Sequence, residues 1–157
     1  MYYTNMFNPT PGKNFLLVTG ILYILFAAMN LISSVMGLSA AEYWDTALPT
    51  MNNMPWSVYY TVFILSALFQ LFIGIMGISN YTRPDRAHIL RWLGVIGIFN
   101  VIIRVMFASA VFAGGIVSGF ALTYLAGITL PILYISGAHK NLIAHRLMTS
   151  QSMSSYM

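Results

Sequence analysis

Four long apolar runs dominate the chain, separated by short polar segments. They cover about Phe15 to Leu38, Ser57 to Ser79, Ile89 to Phe112 and Ile116 to Ala138. Each holds roughly 22–24 residues, enough for a helix to cross a ~30 Å hydrocarbon layer with some tilt. The pattern predicts an all-α chain forming one membrane domain, a transmembrane four-helix bundle. Residues 1–13 read as a polar lead, with Asn8-Pro9-Thr10-Pro11-Gly12 resisting regular structure. Residues 39–56 read as a loop, and 139–157 as a polar tail ending in Ser150-Gln151-Ser152-Met153-Ser154-Ser155. The start of that tail, Ala138 to Met148, can extend the fourth run as an amphipathic helix with His139, Lys140, His145 and Arg146 on its wetter faces. Ser39-Ala40-Ala41 would suit a signal peptidase, but the run before it far exceeds the ~7–15 apolar residues of a signal peptide. The first run is therefore expected to stay as a span.

The polar segments orient the spans. The first loop holds Glu42 and Asp45 and no Lys or Arg; the second holds Arg83, Arg86 and Arg91. Lys13 precedes the first run, and Lys140 and Arg146 follow the fourth. Basic residues are retained on the cytoplasmic side, so both termini and the middle loop are expected there. Trp44 and Trp56 then fall near the outer interface and Trp92 near the inner one. Asn80-Tyr81-Thr82 fits a glycosylation acceptor, but on the cytoplasmic side it is not expected to be used. Thr82-Arg83-Pro84-Asp85 reads as a capping box that starts the third helix before it enters lipid.

Composition removes the soluble alternative. Hydrophobic residues make up 59% of the chain and charged ones 6%, against about 25% charged in soluble domains. Mean hydropathy is +0.77. With no cysteine, disulfide scaffolds, thiol redox chemistry and Cys-based zinc sites are excluded. The net charge of +4 comes with no basic run interleaved with aromatics, so no nucleic-acid partner is expected. His88, His139 and His145 lack metal-ligand spacing; no metal and no cofactor are expected. No Asp or Glu lies in any of the runs to carry protons, and no basic residue is placed to activate a Ser or Thr.

Polar side chains inside the runs are the informative ones. A shift of forty residues lays Ile24, Leu25, Ala27, Leu31, Met36, Gly37 and Ser39 on Ile64, Leu65, Ala67, Leu71, Met76, Gly77 and Ser79, with Asn30 on Gln70 and Ser34 on Gly74. A shift of seventy lays Asn30 on Asn100 and Met36 on Met106. The matched amides point to a repeated hairpin. Ala27, Asn30, Ser34 and Gly37 share one helix face by steps of three and four, as do Ala67, Gln70, Gly74 and Gly77. Gly97, Asn100 and Arg104 make the third such face. Small residues let helices approach in lipid, and an amide there bonds across the contact for about 0.6–2 kcal/mol.

Counting rise along each helix predicts two polar layers: Asn30 with Arg104 in the outer half, and Gln70 with Asn100 below. Arg104 stands out, since a central arginine costs about 2.5–3.5 kcal/mol on insertion scales and needs a partner or water. Its expected partners are Asn30, or Glu42 or Asp45 folding down from the first loop; the alternative is that it snorkels to lipid phosphates of the outer leaflet. Pro131 removes one backbone bond in the fourth run, leaves the carbonyl of Gly127 without its donor, and predicts a kink. Gly94-Val95-Ile96-Gly97 reads as helix packing and Gly114-Gly115 as a turn.

The chain resembles small uncharacterised four-helix integral membrane proteins of bacteria. The likeness rests on Gly12-Lys13-Asn14-Phe15-Leu16-Leu17, on the endings Met36-Gly37-Leu38-Ser39 and Met76-Gly77-Ile78-Ser79, and on the basic hairpin Thr82 to Arg91. It implies a bacterial inner-membrane location and no particular activity. Three functional readings follow. The first is a non-enzymatic accessory, scaffold or assembly protein whose partners are lipids, other membrane subunits or further copies of itself. The second is a small oligomeric transporter or channel with an anion-attracting site at Arg104. The third is a membrane enzyme acting on a lipophilic substrate, with Asn100 and Arg104 holding an anionic cofactor.

Overall fold

In a computed structural model, residues 10–47, 54–111 and 118–154 are described, and every regular element among them is helical. Helix α1 spans Lys13–Ser39, α2 Ala41–Ala47, α3 Trp56–Asn80, α4 Ala87–Val111 and α5 Ser118–Ser154, with a 3-10 turn at Pro84–Arg86 before α4. Among the described residues three stretches are long and apolar enough to cross a membrane: Lys13–Ser39, Trp56–Asn80 and Pro84–Ser109.

Prolines and short polar contacts set the helix ends. Pro55 sits extended before α3, its ring unable to continue a helix backwards. The α3 start is then held from a distance: Asp45 Oδ1 accepts the Trp56 N–H at 2.8 Å. Pro84 likewise holds Arg83 extended at φ −103° and ψ 95°, opening the 3-10 turn. The expected capping box does not form. Arg83, not Thr82, occupies the cap position, with no side-chain capping bond, and Asp85 pairs instead with exposed Arg86 at 3.7 Å.

Two segments differ from the sequence expectation. The loop over 39–56 contains the helix α2, which packs on the start of α3 through Ala41, Trp56 and Tyr59. The polar tail is not separate from the fourth run; α5 is one helix of 37 residues. At 1.5 Å per residue it is about 55 Å long, well beyond a ~30 Å hydrocarbon layer. It continues because Ala138, Asn141, Leu142 and Ala144 form a buried stripe at helical spacing. The expected turn at Gly114-Gly115 and most of the polar lead lie outside the described residues.

α1 packs chiefly on α3, and α4 on α5; α1 also meets α5, and α3 meets α4. Glycines permit the closest approaches. A Cβ on Gly74 would lie 2.8 Å from the Gly20 carbonyl oxygen, and one on Gly20 would lie 3.0 Å from that of Gly74. Tyr134 fits against Gly77 and Gly94, and its hydroxyl donates to the Ile73 carbonyl at 3.2 Å. Leu16, Tyr23, Ile73, Leu90, Leu130, Tyr134 and Ala138 make the larger core.

The outward faces are apolar. On α1, Val18, Ile21, Leu25, Met29, Ile32 and Val35 are exposed at steps of three and four, opposite buried Leu16, Gly20, Tyr23, Ala27 and Ser34. The α4 face with Ile96, Phe99, Ile103 and Met106 is similar. Water would penalise so much contiguous apolar surface, whereas a bilayer solvates it.

Candidate functional site

The polar side chains of three helices meet between the two apolar cores. Arg104 on α4 donates from a terminal guanidinium nitrogen to Asn30 Oδ1 on α1 at 3.0 Å. Asn30 Nδ2 donates in turn to Gln70 Oε1 on α3 at 3.2 Å. The Arg104 guanidinium also lies 4.7 Å from the Phe63 ring centroid, within cation–π range. Gln70 is buried; Asn30 and Arg104 are half-buried.

Asn30 therefore sits with Arg104 as the helical rise predicts, but the two expected layers are one. Gln70 reaches up to Asn30 instead of pairing with Asn100. The offset arises at the α2 corner. α1 ends about 14 Å beyond Asn30, whereas α3 begins about 21 Å beyond Gln70, so α3 stands higher than a matched hairpin would. Asn100, one turn below Arg104, keeps a buried amide nitrogen with no partner among the described residues. The first-loop acids serve elsewhere: Asp45 holds the start of α3, and Glu42 is exposed on α2.

Beside the polar chain is a partly enclosed cavity of about 30 Å³. Tyr23, Phe26, Asn30, Gln70, Arg104, Gly127 and Leu130 line it. Tyr23 is only 3% exposed, and its hydroxyl has no hydrogen-bond partner among the described residues. It lies against Gly97, whose missing side chain leaves room for it. Pro131, fully buried near Gly97, cannot donate to the Gly127 carbonyl. The cavity so combines a permanent cation, two amides and an unused hydroxyl with apolar walls.

A second buried amide was not singled out by sequence. Asn141 is 0% exposed. Its Oδ1 accepts the Gly12 N–H at 2.6 Å, and its Nδ2 donates to the Tyr81 carbonyl at 3.3 Å. One side chain thereby ties the start of α1 and the end of α3 to the long extension of α5. The signal was the stripe Gly137, Ala138, Asn141, Leu142, Ala144, hidden by the charged residues between. The same ties gather Lys13, Arg83, Arg86, Arg91, Lys140 and Arg146 at one end of the molecule, with Lys140 4.3 Å from the Phe15 ring centroid.

Among the described residues no group of His, Asp and Glu could hold a metal ion. No family model matches the chain, and neither the curated proteins nor the solved structures contain a significant match. Fold and site define a class: a helical protein with helices long and apolar enough to cross a membrane, and an arginine and amides joined between them.

Proposed function

We propose that the chain is a four-span membrane protein, a helical bundle with both termini cytoplasmic, acting without catalysis as an accessory, scaffold or assembly subunit. Residues 118–138 of α5 supply the fourth span, and the remainder of α5 projects into the cytoplasm. The orientation rests on the single-ended distribution of basic residues. A bacterial inner membrane fits the resemblance described above.

The observation that carries this reading is the hydrogen-bonded line Gln70–Asn30–Arg104. It engages the chain's one mid-span charge in holding three helices together. The adjoining cavity, about 30 Å³, is far below the ~300–1,000 Å³ of pockets for drug-sized ligands. That favours a structural polar layer over a site for a lipophilic substrate. The apolar outer faces of α1 and α4 are the surfaces offered to lipids and to partner helices.

Reconstitution tests the proposal. Vesicles containing the protein should pass halide and small organic anions no faster than protein-free vesicles. Flux above that level, lost in Arg104→Gln, would assign transport instead. Photo-crosslinkers at exposed Met29, Phe72 and Ile102 in native membranes should give discrete protein adducts from at least one face. Lipid adducts alone from every face would contradict a scaffold role.

A further inference from the structure

We propose that the α1–α5 edge at the basic end of the molecule holds an anionic phospholipid, its phosphate on Lys140 and an acyl chain along the flank of α1 that starts at Phe15. Level is the first consideration. Lys13 lies two residues before the first apolar run and Lys140 two residues after the fourth, each about 3 Å outside. That depth falls in the headgroup layer, which adds about 5–7 Å to each side of the hydrocarbon. The Gly12–Asn141 bond, 2.6 Å long, joins the chain neighbours of the two lysines. Two cations from opposite ends of the sequence thus meet at one junction.

Charge calls for an anion. The whole chain has three Asp and Glu residues. Glu42 and Asp45 are on α2, beyond the far end of α1, a helix about 40 Å long. Asp85 lies beside Arg86 at 3.7 Å. Lys13, Arg83, Arg91, Lys140 and Arg146 therefore share their end with no second carboxylate side chain.

Apolar surface beside the charge narrows the anion to a lipid. The Lys140 ammonium is 4.3 Å from the Phe15 ring centroid, and both side chains are exposed. The ring orients the amine by a cation–π contact and leaves its charge in place. Phe15, Val18, Leu22 and Leu25 follow one another at steps of three and four, and Phe15, Val18 and Leu25 are exposed. A phospholipid meets both parts at once, phosphate on the amine and chain on the flank. An acidic peptide or a nucleic acid would use the lysines alone.

The test uses the full chain in micelles of an uncharged detergent. Phosphatidylglycerol or phosphatidylcholine with the same acyl chains is added, and retained lipid is read by native mass spectrometry beside the thermal midpoint. Phosphatidylglycerol should be retained and should raise the midpoint saturably, by about 5 °C at a hundredfold excess over its half-effective concentration. Phosphatidylcholine, whose headgroup is neutral overall, should do neither. Lys140→Gln should weaken retention about fivefold, and Lys140→Arg should restore it. Arg146→Gln removes a charge about 9 Å further along α5 and should leave retention unchanged. Equal retention of the two lipids would overturn the proposal. So would equal losses in Lys140→Gln and Arg146→Gln, which mark diffuse attraction. A matching midpoint shift with polyglutamate or inorganic phosphate would also overturn it, by removing the need for the acyl chain. The inference rests on the membrane-spanning reading, but lipid selectivity in micelles is independent of orientation and of anion flux. Its absence counts against this site and leaves that reading to its own tests.

Discussion

Asn30 accepts from Arg104 through its oxygen and donates to Gln70 through its nitrogen, so the two faces of one amide join α4 to α3 through α1. Removing that amide strands a charged donor and a buried acceptor together. Asn30→Leu should therefore destabilise the protein by about 1–3 kcal/mol, read as a lowered midpoint in detergent. A neutral or stabilising result would mean that Asn30 faces lipid.

Asn141 should matter as much, although it lies beyond the apolar runs. Asn141→Leu leaves the Gly12 N–H and the Tyr81 carbonyl without their partner inside a tightly packed junction. The expected loss is about 1–3 kcal/mol, accompanied by faster amide exchange at Gly12. Unchanged exchange there would remove the junction from the account.

The α1–α3 seam depends on absent side chains. Gly74→Ala places a Cβ 2.8 Å from the Gly20 carbonyl oxygen and should cost about 1–3 kcal/mol through overpacking. Ile21→Ala, on the exposed face of the same pair, should be close to neutral in detergent. Equal effects at the two positions would contradict the assignment of inner and outer faces.

Topology is open to a simple check, because the chain has no cysteine of its own. Glu42→Cys and Ser150→Cys, both at exposed positions, should react with an impermeant thiol reagent from opposite sides of the membrane. Labelling of both from the outside would refute the proposed arrangement.

The three long apolar helices were legible because an apolar run of that length has few alternatives. The inner face was legible for a different reason. Leu, Ile and Phe occupy both faces in lipid, so hydrophobic periodicity says little, and the sites of Ala27, Ser34, Gln70 and Gly74 identify the buried side instead. The amides that the shift of forty residues aligns, Asn30 and Gln70, bond to each other.

What sequence missed depends on offsets and ends. Rise per residue places Asn30 and Arg104 correctly relative to each other because α1 and α4 run in the same direction. It fails for Gln70, because the α2 corner raises the start of α3 by an amount no local pattern encodes. The cap at Thr82 failed because Pro84 makes Arg83 extended, and the extension itself supplies the helix start. Asn141 was obscured by His139, Lys140, His145 and Arg146, which make a packed helix look like a solvated tail.

The most direct test of the buried polar layer is a double-mutant cycle on Asn30 and Arg104. Asn30→Leu and Arg104→Leu are measured singly and together by reversible unfolding in detergent. A direct hydrogen bond between them predicts that the double variant loses less than the sum of the single losses, with a coupling of about 1–3 kcal/mol. Additivity within about 0.5 kcal/mol would show that the two residues do not interact, and the polar layer would have to be abandoned.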